Sequence, residues 1–127
     1  MTDTPGGSLG DAFVAEVAGR DVPALRASLA TDVDFRGLTP GRSWEATSPD
    51  EVVDVVLGHW FADSDRITSV DRVEHGDAVG DVRRLAYRFS LVNDAGPHVV
   101  EQQVYYEVRD GRLAYLRVVC SGFQPVG

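Results

Sequence analysis

From Ile67 to Phe123 apolar and polar residues alternate, which is the pattern of β-strands with one buried face. The segments Ile67–Glu74 and Val82–Val92 each end at turn-forming residues, so each is predicted to form a strand. Beyond them, two runs rich in Val, Tyr and Leu flank Arg109-Asp110-Gly111. An Asp-Gly pair between such runs predicts a β-hairpin, so we expect an antiparallel sheet in the C-terminal half.

The number of residues in this hairpin turn determines which side chains share a face of the sheet. A two-residue turn would pair Tyr106 with Tyr115 and would mix polar and apolar residues on both faces. A three-residue turn, with Gly111 in the left-handed position of a bulge, would pair Tyr106 with Ala114 and collect the apolar residues on one face. A sheet with one buried face needs this segregation, so we predict the three-residue turn. The opposite face then carries Glu101, Gln103, Tyr105 and Glu107 opposite Val119, Arg117, Tyr115 and Leu113.

The N-terminal half has a helical period instead, with apolar residues three and four positions apart. Helices are predicted over 8–19, 21–29 and 48–62, after a flexible lead at 1–7. The third has the clearest start, because Ser48-Pro49-Asp50-Glu51 supplies a cap, a proline at the first helical position and an acidic first turn. Between the second and third helices we predict a short strand, Thr31–Leu38, and a loop at 39–45 that contains Pro40-Gly41.

Composition excludes several classes of partner. The 127 residues, 43% hydrophobic and 25% charged, are expected to fold as one domain. The net charge is -8, which argues against binding nucleic acid or an anionic membrane. The chain shows neither a signal-peptide pattern nor an apolar run long enough for a membrane span, so a cytoplasmic location is expected. Cys120 is the only cysteine, and His59, His75 and His98 are isolated from one another, so we expect no disulfide, metal or cofactor.

This order of elements, over residues 8–124, resembles the nuclear transport factor 2-like superfamily, which includes SnoaL-like proteins and ketosteroid isomerase. Three segments are similar to an actinobacterial SnoaL-like group: Leu38-Thr39-Pro40-Gly41-Arg42-Ser43-Trp44-Glu45, Val100-Glu101-Gln102-Gln103 and Cys120-Ser121-Gly122-Phe123. The resemblance implies an α+β fold in which a curved, mostly antiparallel sheet wraps three N-terminal helices and forms a conical cavity. Members isomerise, cyclise, dehydrate or hydrolyse apolar substrates in that cavity, or only bind them, and many are dimers.

The catalytic groups of two such reactions do not carry over. Ketosteroid isomerisation needs a carboxylate base on the first strand and an oxyanion hole that contains a Tyr and a protonated Asp. Here Phe35 or Gly37 stands where that base would point inward, and the first helix has Phe13 and no Tyr. Epoxide hydrolysis needs two Asp and an Arg around one water. Asp34 and Arg36 would meet Glu101 only in a different strand register, so we expect surface ion pairs there.

The predicted apolar face instead carries a few polar groups among aromatic residues, as small-molecule pockets do. The candidate ligand-binding residues are Trp44, His59, Trp60, Tyr87, Phe89, Gln102, Tyr106 and Cys120. Gln102 is the most informative, because a buried amide must bond either an internal partner such as Tyr87 or Tyr106, or water, or a ligand. Trp44 is either a lid or a plug at the core edge, and His59 fits a packing role better than a catalytic one. Cys120 is expected to be inert packing.

We therefore expect a protein that binds a small apolar molecule. The alternative is a SnoaL-like enzyme acting on a cyclic or polyketide-like substrate, with Glu101 or a Tyr as its proton carrier. Glu101 is its candidate general base, but only if a two-residue turn directs this side chain into the cavity. A structural dimerisation domain is a third possibility. The face that carries Tyr105, Tyr115, Val119 and Leu113 suits a homodimer interface.

Overall fold

The computed structural model describes residues 5–126, with side chains from Leu9 onward. Its helices are α1 (Pro5–Ala18), α2 (Val22–Ala27) and α3 (Pro49–Val53), which continues as a π-helix over Asp54–Trp60. Its strands are β1 (Leu29–Thr39), β2 (Arg42–Ala46), β3 (Arg66–His75), β4 (Arg83–Asn93), β5 (Gly96–Arg109), β6 (Arg112–Cys120) and β7 (Gln124–Pro125). Within this part of the chain, no helix is both long enough and apolar enough to span a lipid bilayer.

The strands form one open, mixed sheet in the order β2-β1-β6-β5-β4-β3, with β7 also paired to β5. β1 and β6 run parallel, and the other neighbouring strands run antiparallel. The sheet curves around the helices, so that α1 contacts β3, β4 and β5 while α2 and α3 contact β1. The α+β class predicted from the sequence is confirmed.

Alternate residues of the central strands form the core between the sheet and the helices. On β4 and β5 the buried positions follow the predicted period of two, and the apolar face proposed for these strands is confirmed. The core residues of these two strands are Leu85, Tyr87, Phe89, Leu91, Val100, Gln102, Val104 and Tyr106. Phe13, Val14 and Val17 of α1 pack against them as the predicted helical stripe.

The turn of the C-terminal hairpin is shorter than predicted. Arg109 pairs with Arg112, which leaves a two-residue turn. Asp110 and Gly111 have φ angles of 54° and 75°, the left-handed pair of a type I′ turn. The prediction of a three-residue turn is therefore wrong, because Asp-Gly tolerates two successive positive φ angles and the bulge lies elsewhere.

That bulge is at Ala114, which has no partner opposite it, so that Tyr106 pairs with Leu116 and not with Ala114. The observed register differs from the predicted one by two residues, and a shift of two leaves every side chain on its predicted face. Leu113 is the exception, since it lies between the turn and the bulge. It was predicted on the outer face and is buried in the core.

Residues 39–45, predicted as a loop, form a second hairpin. Thr39 pairs with Arg42 around Pro40 and Gly41, and Gly41 has a φ of 78°. Proline followed by a left-handed glycine is the sequence of a type II turn. β2 follows this turn directly and forms the edge of the sheet. The Pro-Gly pair therefore belongs to a tight turn between two strands, and the prediction of a loop over 39–45 is wrong. This hairpin places Trp44 on a strand.

The helix caps are largely as predicted, whereas two helix ends differ. The Asp21 side chain accepts from the Ala24 N–H at 3.2 Å, and Ser48 accepts from the Glu51 N–H at the same distance. α1 begins at Pro5, ahead of the predicted cap at Ser8, whose side chain lies outside the described residues, as do residues 1–4 of the predicted lead. Leu29, predicted in the second helix, is the first residue of β1.

Candidate functional site

A pocket of about 240 Å³ opens between the β1–β2 hairpin, the π-helix and the segment after β6. Five of the predicted ligand-binding residues line it: Trp44, His59, Trp60, Gln102 and Cys120. Thr39, Phe61, Gly122 and Phe123 complete the lining, and we call this site the aromatic pocket. Residues of β1, β2, the π-helix, β5 and β6 therefore meet at one place, although they are distant in the sequence.

The π-helix determines how His59 and Trp60 face the aromatic pocket. Its wider turn places residues five apart on one side, so Asp54 Oδ2 lies 3.4 Å from His59 Nε2. The His59 ring in turn lies against Trp44, with ring centroids 5.3 Å apart. The sequence predicted one continuous α-helix to Ala62 here, and apolar periodicity did not reveal the change of helix type.

Arg20 holds the C-terminal end of this π-helix. Its guanidinium donates to the carbonyl oxygens of Phe61 and, at 2.9 Å, Leu57, and it pairs with Asp63 at 3.1 Å. The last carbonyl groups of a helix have no partner within the helix, so a cation there satisfies and stabilises them. Arg20 thereby positions the part of the chain that carries Trp60 and Phe61.

Trp60 fills the space above Gly37 of β1. A β-carbon at position 37 would lie 2.5 Å from the Trp60 ring, so only glycine leaves room for the indole. The Trp60 ring also contacts Phe35 at 5.7 Å and Trp44 at 6.3 Å between centroids. The inward position at which a ketosteroid isomerase-like base was sought is thus covered by an aromatic ring.

Gln102 lies on β5 directly opposite Cys120, and only 2% of its surface is exposed. The Tyr87 hydroxyl donates to Gln102 Oε1 at 2.5 Å, so Tyr87 is the internal partner that the sequence suggested. Burial raises the pKa of Tyr87, and its hydroxyl therefore stays protonated and acts as the donor. Among the described residues, Gln102 Nε2 and Trp60 Nε1 are buried without an acceptor.

The other predicted residues of the apolar face lie behind the aromatic pocket or away from it. Phe89 is fully buried and contacts Phe61, with ring centroids 5.8 Å apart. Tyr106 lies four residues along β5 from Gln102, a distance of about 13 Å in a strand. There its hydroxyl approaches Gly10 of α1, where a β-carbon would lie only 2.6 Å away. Tyr87 reaches the aromatic pocket only through Gln102.

Glu101 lies on the outer face of the sheet, where Arg88 donates to its Oε2 at 2.7 Å and 3.1 Å and Arg72 at 3.4 Å. The bulge at Ala114 keeps Gln102 inside, and its neighbour Glu101 must then point outward. The hairpin does have the two-residue turn on which this candidate depended, but the bulge at Ala114 offsets its effect on the register. Glu101 is therefore not directed into the cavity, and its proposed role as a general base there is wrong.

The expected surface ion pairs are confirmed. Asp34 pairs with Arg117 at 3.2 Å, and Arg36 pairs with Glu45 at 3.4 Å. Neither pair includes Glu101, so the three groups proposed for epoxide hydrolysis do not converge. Across the described part of the chain, no group of three or more His, Cys, Asp or Glu residues is placed to hold a metal ion.

Sequence reasoning missed four residues that line the aromatic pocket. Thr39 accepts from the Trp44 indole N–H at 2.8 Å, and Phe123 stacks on Phe61 with centroids 5.8 Å apart. Gly122 has a φ of 78° and approaches Pro40 so closely that a β-carbon would lie 2.8 Å from its ring. The Gly122–Phe123 pair was the available signal, because it interrupts the strand pattern before β7, which pairs with β5.

Neither a family profile nor a curated protein matches the sequence, but solved structures match the fold. A proposed isomerase from Rhodopseudomonas palustris superposes with a TM-score of 0.69, covers 96% of this chain and 93% of that one, and is 20% identical. A proposed SnoaL-like polyketide cyclase from Mesorhizobium loti superposes with a TM-score of 0.65, covers 93% of this chain and 98% of that one, and is 16% identical. For an LEH-like epoxide hydrolase from M. tuberculosis the TM-score is 0.66, the coverages are 90% of this chain and 80% of that one, and the identity is 15%.

The chain therefore has the nuclear transport factor 2-like fold, in the form found in SnoaL-like and ketosteroid isomerase-like proteins. At these identities the likeness concerns the fold, and the chemistry of the site has to be argued from the residues of this chain.

Proposed function

We propose that this protein binds a small, largely apolar molecule in the aromatic pocket. The observation that carries the proposal is the convergence of Trp44, Trp60, Phe61 and Phe123 around one open space. Aromatic walls with a few placed polar groups are typical of small-molecule sites. A volume of about 240 Å³ suits a compound of one or two rings.

Binding without turnover is favoured by the groups that line the aromatic pocket. Among the described lining residues there is no carboxylate, and the titratable ones are His59 and Cys120. General acid–base catalysis needs a proton donor and acceptor placed at the reacting atoms. The charged network around Glu101 lies on the opposite face of the sheet.

One observation favours the alternative of a SnoaL-like enzyme acting on a cyclic or polyketide-like substrate. His59 is half exposed at the aromatic pocket, and Asp54 stands behind its ring at 3.4 Å, as an orienting carboxylate does. Proteins with this fold are described as isomerases, polyketide cyclases and an epoxide hydrolase. In this reading His59 is the proton carrier.

We also propose a homodimer that forms through the outer face of the sheet. Leu38, Val119 and Tyr105 expose 53%, 52% and 41% of their surfaces there. Leu38 and Val119 are directly paired across β1 and β6, so they form one apolar patch. The ion pairs of Arg88 with Glu101 and Arg117 with Asp34 lie on the same face and suit the polar part of such an interface.

Binding can be tested with the intrinsic fluorescence of the protein. The chain has two tryptophans, Trp44 and Trp60, and both line the aromatic pocket. A one- or two-ring hydrocarbon should change their emission with saturable, stoichiometric behaviour. Phe123→Ala should weaken binding about tenfold, because it removes a wall of the site. Tyr105→Ala, an aromatic deletion on the outer face, is the matched control. Equal affinity in both variants would refute the proposed site.

A further inference from the structure

Two hydrogen-bond donors remain unused at the aromatic pocket. Gln102 Nε2 and Trp60 Nε1 are buried, and neither has an acceptor among the described residues. Both side chains line the pocket, and the exposed fraction is 2% for Gln102 and 8% for Trp60. Buried N–H groups are nearly always paired in folded proteins, because an unpaired one loses its bonds to water without replacement.

The orientation of the Gln102 amide follows from Tyr87. The buried Tyr87 hydroxyl keeps its proton and donates it to Gln102 Oε1 at 2.5 Å. The oxygen of the amide is therefore used, and the two N–H bonds of its nitrogen point away from that bond. Gln102 acts at this site as a donor.

Two side-chain acceptors of the aromatic pocket are already engaged. Thr39 Oγ1 accepts from the Trp44 indole at 2.8 Å, and Cys120 Sγ accepts from the Gly122 N–H at 3.4 Å. What the site still lacks is an acceptor for Gln102 and Trp60. Resting on the proposed function, we infer that the ligand is a neutral carbonyl compound whose oxygen accepts hydrogen bonds from Gln102 Nε2 and Trp60 Nε1.

Access to these donors requires a movement of the pocket wall, because each nitrogen exposes less than 1 Å². Trp44 is the wall residue whose position allows this movement. Trp44 is half buried on the edge strand β2, lies edge-on to Trp60, and is held by the bond to Thr39 and by the Arg42 guanidinium 3.6 Å above its ring. A small displacement of this indole opens the space beside Trp60 without disturbing the central strands.

The test compares 1-tetralone with tetralin, which share one bicyclic skeleton and differ by a carbonyl group in place of a methylene. Equilibrium dialysis gives both dissociation constants, and the ratio of the two is compared between proteins, so the different hydrophobicity of the probes cancels. Gln102→Leu and Trp60→Phe should each reduce the preference for 1-tetralone about tenfold, the factor that corresponds to 1.4 kcal/mol. Affinity for tetralin should change less than about threefold in either variant.

Gln103→Leu is the matched control, since this glutamine is the next residue of β5 and is exposed on the outer face. The double variant Tyr87→Phe/Gln102→Leu removes both partners of the buried bond and keeps the test valid if Gln102→Leu folds poorly. An unchanged ratio in the variants, with both probes bound, overturns this inference and leaves the proposed function standing. Absence of binding by both probes to the unaltered protein overturns the proposed function and the inference with it.

Discussion

The indole of Trp60, which lines the aromatic pocket, lies directly on Gly37 of β1. A methyl group at position 37 would have to displace the ring. Gly37→Ala should therefore lower the free energy of unfolding by about 1–3 kcal/mol, the usual cost of overpacking a core. Urea denaturation measures this change. Adding Trp60→Leu should recover part of the loss, whereas additive effects of the two substitutions would contradict the contact.

Glu101→Gln should leave ligand binding unchanged, because Glu101 lies on the outer face with Arg88 and Arg72. The lost ion pairs are half exposed, so stability should fall by no more than about 1 kcal/mol. Dialysis with 1-tetralone and urea denaturation test the two expectations. A large loss of affinity would mean that Glu101 reaches the aromatic pocket.

Arg20→Ala should destabilise the protein and weaken ligand binding together. Arg20 donates to the carbonyl oxygens of Leu57 and Phe61, and its removal leaves the end of the π-helix without these donors. We expect a loss of about 2 kcal/mol in the free energy of unfolding. Arg26→Ala is the control, because Arg26 makes an exposed ion pair with Asp50 and should cost less than about 1 kcal/mol. An equal loss of stability in the two variants would contradict the proposed role of Arg20 at the end of the π-helix.

Glu16 makes stability depend on pH. Burial raises the pKa of this carboxyl, opposed in part by the hydrogen bond from Ser28, while Asp21 raises it further. Because the pKa is higher in the folded state, Glu16 contributes favourably below the unfolded pKa near 4.5, and this contribution is lost as pH rises through the folded pKa.

Glu16→Gln should therefore stabilise the protein at pH 7 more than at pH 4. The amide oxygen can still accept from Ser28, so the substitution mainly removes the partly buried charge. Urea midpoints at the two pH values measure the difference between the variant and the unaltered chain. A benefit that is equal at both pH values, or larger at pH 4, would contradict the raised pKa.

Val119→Arg should convert the proposed dimer to a monomer. Val119 lies in the outer patch with Leu38, and two buried charges facing each other across an interface would cost several kcal/mol. Sedimentation velocity at micromolar concentration distinguishes the two states. Val79→Arg, at an exposed position in the turn between β3 and β4, should remain dimeric. A monomeric unaltered protein would end the dimer proposal.

The faces of the strands could be predicted from the sequence, whereas their pairing could not. Segregation of apolar residues fixed Gln102 inside and Glu101 outside, because the period of two distinguishes only odd from even shifts. The turn at Asp110-Gly111 and the bulge at Ala114 together give the same parity as a three-residue turn. No periodicity in the sequence separates these alternatives.

The aromatic pocket was predictable in part for a different reason. Trp44, His59 and Trp60 drew attention as aromatic or titratable residues, but their meeting depends on a π-helix and on an edge strand that the pattern did not show. Hydrogen bonds in a π-helix span five residues, whereas those in an α-helix span four. The apolar residues of Asp54–Trp60 are spaced so that either helix type would bury them, so the sequence does not distinguish the two. Gly37 was recognised as an inward position, yet its role depends on Trp60 lying across it.

The unpaired Ala114 also gives this hairpin one place where its length can change. Because Ala114 has no partner on β5, deleting it would leave the neighbouring pairs, Val108 with Leu113 and Glu107 with Tyr115, as they are. Relatives can therefore lose this one residue and still keep Gln102 inside and Glu101 outside. Deleting a paired residue of β6 instead would move the following side chains of that strand to the opposite face.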